Sequence, residues 1–95
     1  MSGRRSVEVV VYTRQGCGLC RTAERLVAAE ARGASVRHVD VDDDEQLVRR
    51  YGVRVPVVAV DGVEVAELQL ERGTVRRAVR RASGPARFLR RGDAS

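Results

Sequence analysis

The first half of the chain alternates between short valine-rich runs and a longer segment with helical spacing. Residues 7–12 are almost continuously apolar, as in a strand that is buried on both faces of a sheet. Residues 17–32 place apolar side chains at three- and four-residue steps, which predicts an amphipathic helix that Gly33 ends. Residues 36–41 form a second predicted strand, completing a right-handed β-α-β unit. The predicted inward face of the helix consists of Leu19, Ala23, Leu26 and Val27.

The second half predicts a capped helix, a hairpin and a last helix. Asp42 is placed to cap a helix with an acidic first turn, and Gly52 is expected to end it. Two valine-rich runs flank Asp61-Gly62, which is a strong hairpin signal. Residues 74–82 form the last predicted helix, with its threonine as the cap. The predicted inward side chains of these helices are Leu47, Val48, Tyr51, Val75, Ala78, Val79 and Ala82.

Together these elements predict an α/β fold in the order β-α-β-α-β-β-α. A β-α-β unit followed by a hairpin gives a mixed four-stranded sheet, flanked by helices on both faces. A chain of 95 residues supports a single core. We therefore predict one domain over residues 1–82 and a flexible basic tail over residues 83–95.

The composition bears on partners and location. A net charge of +5 and a pI near 10.5 raise the prospect of nucleic-acid binding. All 18 basic residues are arginine, which indicates a general compositional bias and argues against a nucleic-acid role. No apolar run approaches the roughly 20 residues of a membrane span, so we expect a cytoplasmic protein with no membrane partner. The late basic surplus comprises Arg72, Arg76, Arg77, Arg80, Arg81, Arg87, Arg90 and Arg91.

The chain has two cysteines, Cys17 and Cys20, at the predicted turn from the first strand into the first helix. A lone C-x-x-C beside a β-α-β pattern indicates thiol–disulfide redox chemistry in a cytoplasmic protein. Cys17 falls at the helix N-terminus, where unpaired N–H groups favour the thiolate, and Arg14 and Arg21 add positive charge nearby. We predict that Cys17 attacks a target disulfide and that Cys20 resolves the mixed disulfide.

Three alternatives stand beside this interpretation. A structural zinc site needs four ligands, and only His38, expected on the surface of an edge strand, remains besides the cysteines; we predict no metal. Inert packing of the cysteines is disfavoured by Gly16 and Gly18, which are typical of a backbone turn. The third alternative is a non-enzymatic binding module that uses the arginine-rich C-terminal helix to bind nucleic acid or an acidic partner.

From residue 7 to residue 82 the pattern resembles the glutaredoxin family of the thioredoxin superfamily. The resemblance rests on the segment ending in Cys17-Gly18-Leu19-Cys20, on residues 51–56 with their Val-Pro dipeptide, and on the hairpin. It implies a thioredoxin-like fold and a glutaredoxin-like dithiol–disulfide oxidoreductase that serves cell redox homeostasis. The implied substrate is a protein or small-molecule disulfide.

The resemblance also implies a recognition site. Pro56, which cannot donate to a sheet ladder and so must begin its strand, would form a cis peptide bond beside the cysteines. The backbone of Val55 would pair with an extended substrate, and Arg14 would meet a carboxylate of glutathione. The family's Pro-Tyr between the cysteines and its later Gly-Gly pair are missing, the latter from residues 65–70. Glutathione and thioredoxin reductase are therefore both candidate electron sources, and no resident cofactor is expected.

Overall fold

The computed structural model describes residues 6–83 and arranges them as one mixed four-stranded sheet flanked by helices. The predicted α/β class and the order β-α-β-α-β-β-α are confirmed. The expected basic tail lies outside the described residues beyond position 83, so the predicted domain boundary stays a prediction. The elements are β1 (Glu8–Thr13), α1 (Gly18–Glu30), β2 (Ser35–Asp40), a 3₁₀ turn (Val41–Asp43), α2 (Glu45–Tyr51), β3 (Val57–Val60), β4 (Val63–Glu67) and α3 (Thr74–Ser83).

The sheet order is β2-β1-β3-β4, with β1 parallel to β2 and antiparallel to β3. Val57 at the start of β3 pairs both with Tyr12 near the end of β1 and with Glu67 at the end of β4. Three strand ends therefore meet at one end of the sheet: the end of β1, the start of β3 and the end of β4. We call this the cysteine end of the sheet. His38 is exposed on the outer strand β2, as predicted.

The expectation of a single core is wrong: the two faces of the sheet bury two separate cores, because successive side chains of a strand point to opposite faces. In β1, Val9 and Val11 belong to the main core and Tyr12 packs against the minor core. In β3, Val58 belongs to the main core and Val57 to the minor core. The main core consists of Val7, Val9, Val11, Ala23, Val27, Ala31, Val58, Val60, Leu70, Val75 and Ala78.

The hairpin forms as the sequence predicts. The last helix also forms, but its predicted cap is wrong, because Thr74 is the first residue of α3 and not its N-cap. Asp61 and Gly62 connect β3 to β4 with positive φ angles of 49° and 84°, as a two-residue hairpin turn requires. Asp61 also exchanges hydrogen bonds with the backbone of Glu8: its N–H donates to the carbonyl at 2.8 Å, and its carboxylate accepts from the N–H at 2.9 Å. The predicted stripe of α3 packs on the main core through Val75, Ala78, Val79 and Ala82.

The predicted inward face of α1 is wrong at one residue. The helix begins at Gly18, and its buried residues are Cys20, Ala23 and Val27. Leu19 is 47% exposed, because this helical phase assigns the inward position of the first turn to Cys20. α1 also ends at Glu30, two residues earlier than the sequence predicts.

The predicted cap of α2 is wrong as well. The 3₁₀ turn delays the helix, so Asp44 is its N-cap and accepts the N–H of Gln46 at 2.8 Å. Asp42 instead directs its carboxylate to Arg14. Val41, predicted as the last residue of β2, lies in the 3₁₀ turn and is completely buried in the minor core.

The N-terminus of α3 is capped by a carboxylate from another helix. Glu30, the last residue of α1, accepts the N–H of Gly73 at 2.7 Å and that of Arg76 at 3.1 Å. Burial alone would raise the pKa of Glu30. The pKa is nevertheless below its ordinary value, because the carboxylate accepts these two N–H groups and that of Val75 and lies near the charge of Arg76. The carboxylate thus joins α1 to the start of α3. Its shortest hydrogen bond, to Gly73, spans 43 residues of sequence.

Replacing Glu30 with alanine is expected to lower the free energy of unfolding by about 1 kcal/mol at neutral pH, the typical cost of losing a cap. Because the folded-state pKa is lowered, the contribution is complete above the unfolded value and is lost as the pH falls through the folded value. Urea unfolding at pH 7 and at about pH 3 measures both effects. Glu24→Ala on the same helix is the control; an equal loss there, or a difference that is as large at about pH 3 as at pH 7, would contradict the role of the cap.

Candidate active site

The turn after β1 places the two cysteines at the start of α1. Gly16 takes a φ of +78°, which favours glycine, and Cys17 follows in an extended conformation as the N-cap of the helix. The Sγ atom of Cys17 accepts the backbone N–H of Cys20 at 3.1 Å. The two residues form a disulfide, and their Cα atoms are 5.2 Å apart. The predicted position of Cys17 at the helix N-terminus is confirmed.

The two sulfur-bearing residues differ in accessibility. Cys17 is partly exposed at the protein surface, whereas Cys20 is 1% exposed. An external disulfide can therefore approach Cys17 but not Cys20. This asymmetry is what a nucleophile and a resolving thiol require.

Cys20 is part of the minor core, which lies directly beneath the disulfide. The rings of Tyr12 and Tyr51 stack there with centroids 4.1 Å apart, and the guanidinium carbons of Arg50 and Arg54 lie 5.6 and 5.7 Å from the centroid of the Tyr51 ring. The pKa of Tyr12 is raised, first by burial and then by the hydrogen bond and the electrostatic interaction with Tyr51. The buried members of the minor core are Cys20, Val41, Tyr51, Val55 and Val57, and Tyr12, Cys17 and Leu47 pack against them.

The Val55-Pro56 peptide bond is cis, and Val57 begins β3 directly after it. The cis bond is as the resemblance implies, whereas the strand begins one residue after Pro56, its predicted first residue. Val55 shares the minor core with the two cysteines, so this loop lies beside the disulfide. The carbonyls of Arg54 and Pro56 accept the N–H of Leu68 at 3.1 and 2.9 Å. Within residues 6–83, neither the N–H nor the C=O of Val55 makes a hydrogen bond.

Arg14 has partners that the sequence does not indicate. Its guanidinium donates two hydrogen bonds to the Asp42 carboxylate, at 2.7 and 3.0 Å, and one to the Gly52 carbonyl at 3.0 Å. Hydrogen bonding to Asp42 raises the pKa of Arg14, and the same contact lowers the pKa of Asp42. Arg14 therefore ties the turn before Cys17 to the segments that precede and follow α2. Its predicted contact with glutathione stays a prediction.

A shallow cleft of about 190 Å³ opens beside the disulfide. Its walls come from the ends of β1 and β2, the turn after β1 and the first two turns of α1. Both cysteines reach it, so a group held in this cleft lies next to the reacting sulfur. The lining residues are Thr13, Arg14, Gln15, Gly16, Cys17, Cys20, Arg21, Glu24 and Asp40.

The arginines of α3 lie on a different part of the molecule. Arg76, Arg77, Arg80 and Arg81 are exposed, and α3 packs on the main core rather than on the minor core that holds Cys20. A second cleft of about 400 Å³ is lined by Arg32, Arg76 and Arg80 and by the Glu30 carboxylate, among others. The alternative of a non-enzymatic binding module that uses these arginines stays a prediction.

The comparisons with known proteins agree with this geometry. A family model described as a glutaredoxin-like domain (DUF836) matches residues 8–80. The solved structure of XcR50, a structural-genomics target protein from X. campestris, is 31% identical, with a TM-score of 0.66 over 81% of this chain and 99% of that one. A mutant thioredoxin from Halobacterium salinarum is 28% identical, with a TM-score of 0.60 over 84% of this chain and 77% of that one. No curated protein matches the chain.

Within the described part of the chain, no helix has the length and apolar content that crossing a membrane requires.

Proposed function

Because this chain belongs to the glutaredoxin-like domain family and has a thiol–disulfide redox role, we propose that it is an oxidoreductase that reduces protein or small-molecule disulfides through Cys17 and Cys20. The observation that carries the proposal is the arrangement of the pair. An accessible sulfur caps a helix and accepts a backbone N–H, and its partner sulfur is buried one turn later. The N–H and the helix dipole favour negative charge on Cys17 in the reduced protein.

The reaction proceeds by two sulfur exchanges. The Cys17 thiolate attacks a substrate disulfide, forms a mixed disulfide with one half and releases the other half as a thiolate. The Cys20 thiolate then attacks the Cys17 sulfur and releases the second half. The substrate gains two electrons and, after protonation, becomes two thiols. The protein loses the same two electrons and returns to the disulfide form, which an external thiol donor must reduce.

Recognition of the substrate is assigned to the loop beside the disulfide. Val55 offers an N–H and a C=O that have no partner within residues 6–83, next to the cis bond to Pro56. An extended substrate segment can pair with both groups as a short added strand. This contact would hold the substrate's own disulfide against the exposed face of Cys17.

Replacing Cys20 with serine is expected to stop the cycle at the mixed disulfide, because serine cannot attack the Cys17 sulfur. With a disulfide-linked peptide as substrate, mass spectrometry should find one peptide covalently attached to the variant and none retained on the parent protein. The parent is the matched control for attack by Cys17. Release of both halves of the peptide by Cys20→Ser, with no thiol added, would contradict the assignment of Cys20 as the resolving thiol.

The same variant and the parent protein together distinguish the two electron sources. If Cys20→Ser removes glutathione from a protein–glutathione mixed disulfide, glutathione is a substrate of Cys17. If thioredoxin reductase alone re-reduces the parent protein, a flavoprotein dithiol is the source. Either donor belongs to the reducing cytoplasm, where we propose that the protein works.

A further inference from the structure

Leu68 lies at the cysteine end of the sheet, immediately after β4. Its N–H donates to the carbonyls of Arg54 and Pro56 at 3.1 and 2.9 Å. These two carbonyls flank Val55, so Leu68 is fixed against the loop that we assign to substrate recognition. Its position is therefore set by the backbone and not by packing of its side chain.

The conformation of Leu68 is unfavourable for a leucine. Its φ is +65°, in the left-handed region that branched and bulky residues rarely adopt. Asp61 also has a positive φ, but a short polar side chain tolerates this conformation. Leu68 is 43% exposed and belongs to neither core, so burial does not compensate for the strain. Stability of the fold therefore gives no reason for a leucine here.

Two other exposed apolar side chains belong to segments that form the site. Leu19 stands between the cysteines and is 47% exposed, and Val53, two residues before Val55, is 90% exposed. We call Leu19, Val53 and Leu68 the apolar rim. The remaining large apolar residues that are exposed within residues 6–83 are Val36 on β2 and Val63 at the start of β4. Val63 pairs with Val60 at the opposite end of the sheet from the cysteine end.

Two arginines near the rim are paired with carboxylates. Arg54 forms salt bridges with Glu64 and Glu67, the latter at 2.8 Å. Arg14 is engaged by Asp42. The surface around the disulfide thus combines these ion pairs and the charged side chains of the cleft with the apolar rim. It also offers the backbone of Val55, which has no hydrogen-bond partner within residues 6–83.

We propose that Leu68 is a specificity-determining residue, and that the apolar rim binds an extended protein segment with an apolar side chain next to its disulfide cysteine. The extended form follows from the backbone groups offered by Val55, and the apolar neighbour follows from the side chains around them. The inference rests on the proposed function and names its substrate class. A hydrophilic disulfide reacts at the same sulfur but leaves the rim uncovered.

Two disulfide-linked peptide dimers that differ only in the residue before the cysteine, leucine in one and serine in the other, test this. With dithiothreitol as the reductant, the parent protein is expected to show a KM about fivefold lower for the leucine peptide, with similar kcat. A factor of about five corresponds to partial burial of one leucine side chain. In Leu68→Asn the preference should disappear through a higher KM for the leucine peptide, whereas the serine peptide is unaffected.

Asparagine adopts positive φ more readily than leucine, so Leu68→Asn should unfold at no lower temperature than the parent. Val63→Thr removes an apolar surface at the far end of the sheet and is the matched control; it should keep the preference. If Leu68→Asn keeps it, or loses activity equally on both peptides, the inference is overturned while the proposed function stands. If the parent reduces neither peptide faster than dithiothreitol alone, the proposed function itself fails.

Discussion

A Cys17→Ser protein is expected to reduce disulfides no faster than the reductant alone, which is the largest loss of activity that a single substitution should produce. A serine hydroxyl is not ionised near neutral pH and cannot form the mixed disulfide. Cys20 cannot take over, because it is 1% exposed and sits in the minor core. The rate of insulin reduction with dithiothreitol, followed by turbidity, measures the effect.

Serine is itself a favoured N-cap residue, so this substitution should preserve the start of α1. Circular dichroism of the variant should therefore match that of the reduced parent, which is the appropriate control because both lack the disulfide. Persistence of the parent rate in a folded Cys17→Ser protein would disprove the mechanism. Residual activity carried by Cys20 would show as a rate that iodoacetamide abolishes.

Tyr51→Ala is expected to cause the largest loss of stability. Tyr51 is 7% exposed, stacks on Tyr12 and forms the centre of the minor core beneath the disulfide. Truncating a buried aromatic residue costs about 3–5 kcal/mol, a large part of the roughly 5–15 kcal/mol that stabilises a typical domain. In a domain of this size the melting temperature should fall by more than about 12 °C. Urea and thermal unfolding followed by circular dichroism measure both quantities.

Tyr51→Phe is the matched control for this substitution. It keeps the ring, the stack on Tyr12 and the contacts with the two arginines, and removes only the hydroxyl. The expected loss is about 1 kcal/mol or less, the usual net value of one hydrogen bond. Similar melting temperatures for Tyr51→Ala and Tyr51→Phe would show that the stacked ring contributes little to the minor core.

The features that the sequence predicts correctly depend on local physics. Continuous valine runs predict β1 and β3 because both faces of these strands are buried, and Asp61-Gly62 predicts the hairpin because its two residues tolerate positive φ. The C-x-x-C pair follows a strand and opens a helix, so its position also depends only on neighbours in sequence. These features need no knowledge of the tertiary contacts.

The features that the sequence does not predict depend on residues far apart in the chain or on helical phase. Glu30 caps a helix that begins more than 40 residues later, and Arg14 binds Asp42 across 28 residues, so no local pattern signals either contact. The error at Leu19 came from the helical phase, since a shift of one residue exchanges Leu19 and Cys20 on the inward face. The positive φ of Leu68 had no signal, because leucine is rarely found there.

The contacts of Arg14 have a consequence for the redox cycle. Its guanidinium joins the turn before Cys17 to Asp42 and to the Gly52 carbonyl, and none of the three hydrogen bonds involves a sulfur atom. Breaking the Cys17–Cys20 bond therefore does not by itself remove any of them. We therefore expect reduction of the disulfide to move the two cysteine side chains and to leave the backbone of this turn in place. Under the proposed function, such a site is a preorganised carrier of two electrons.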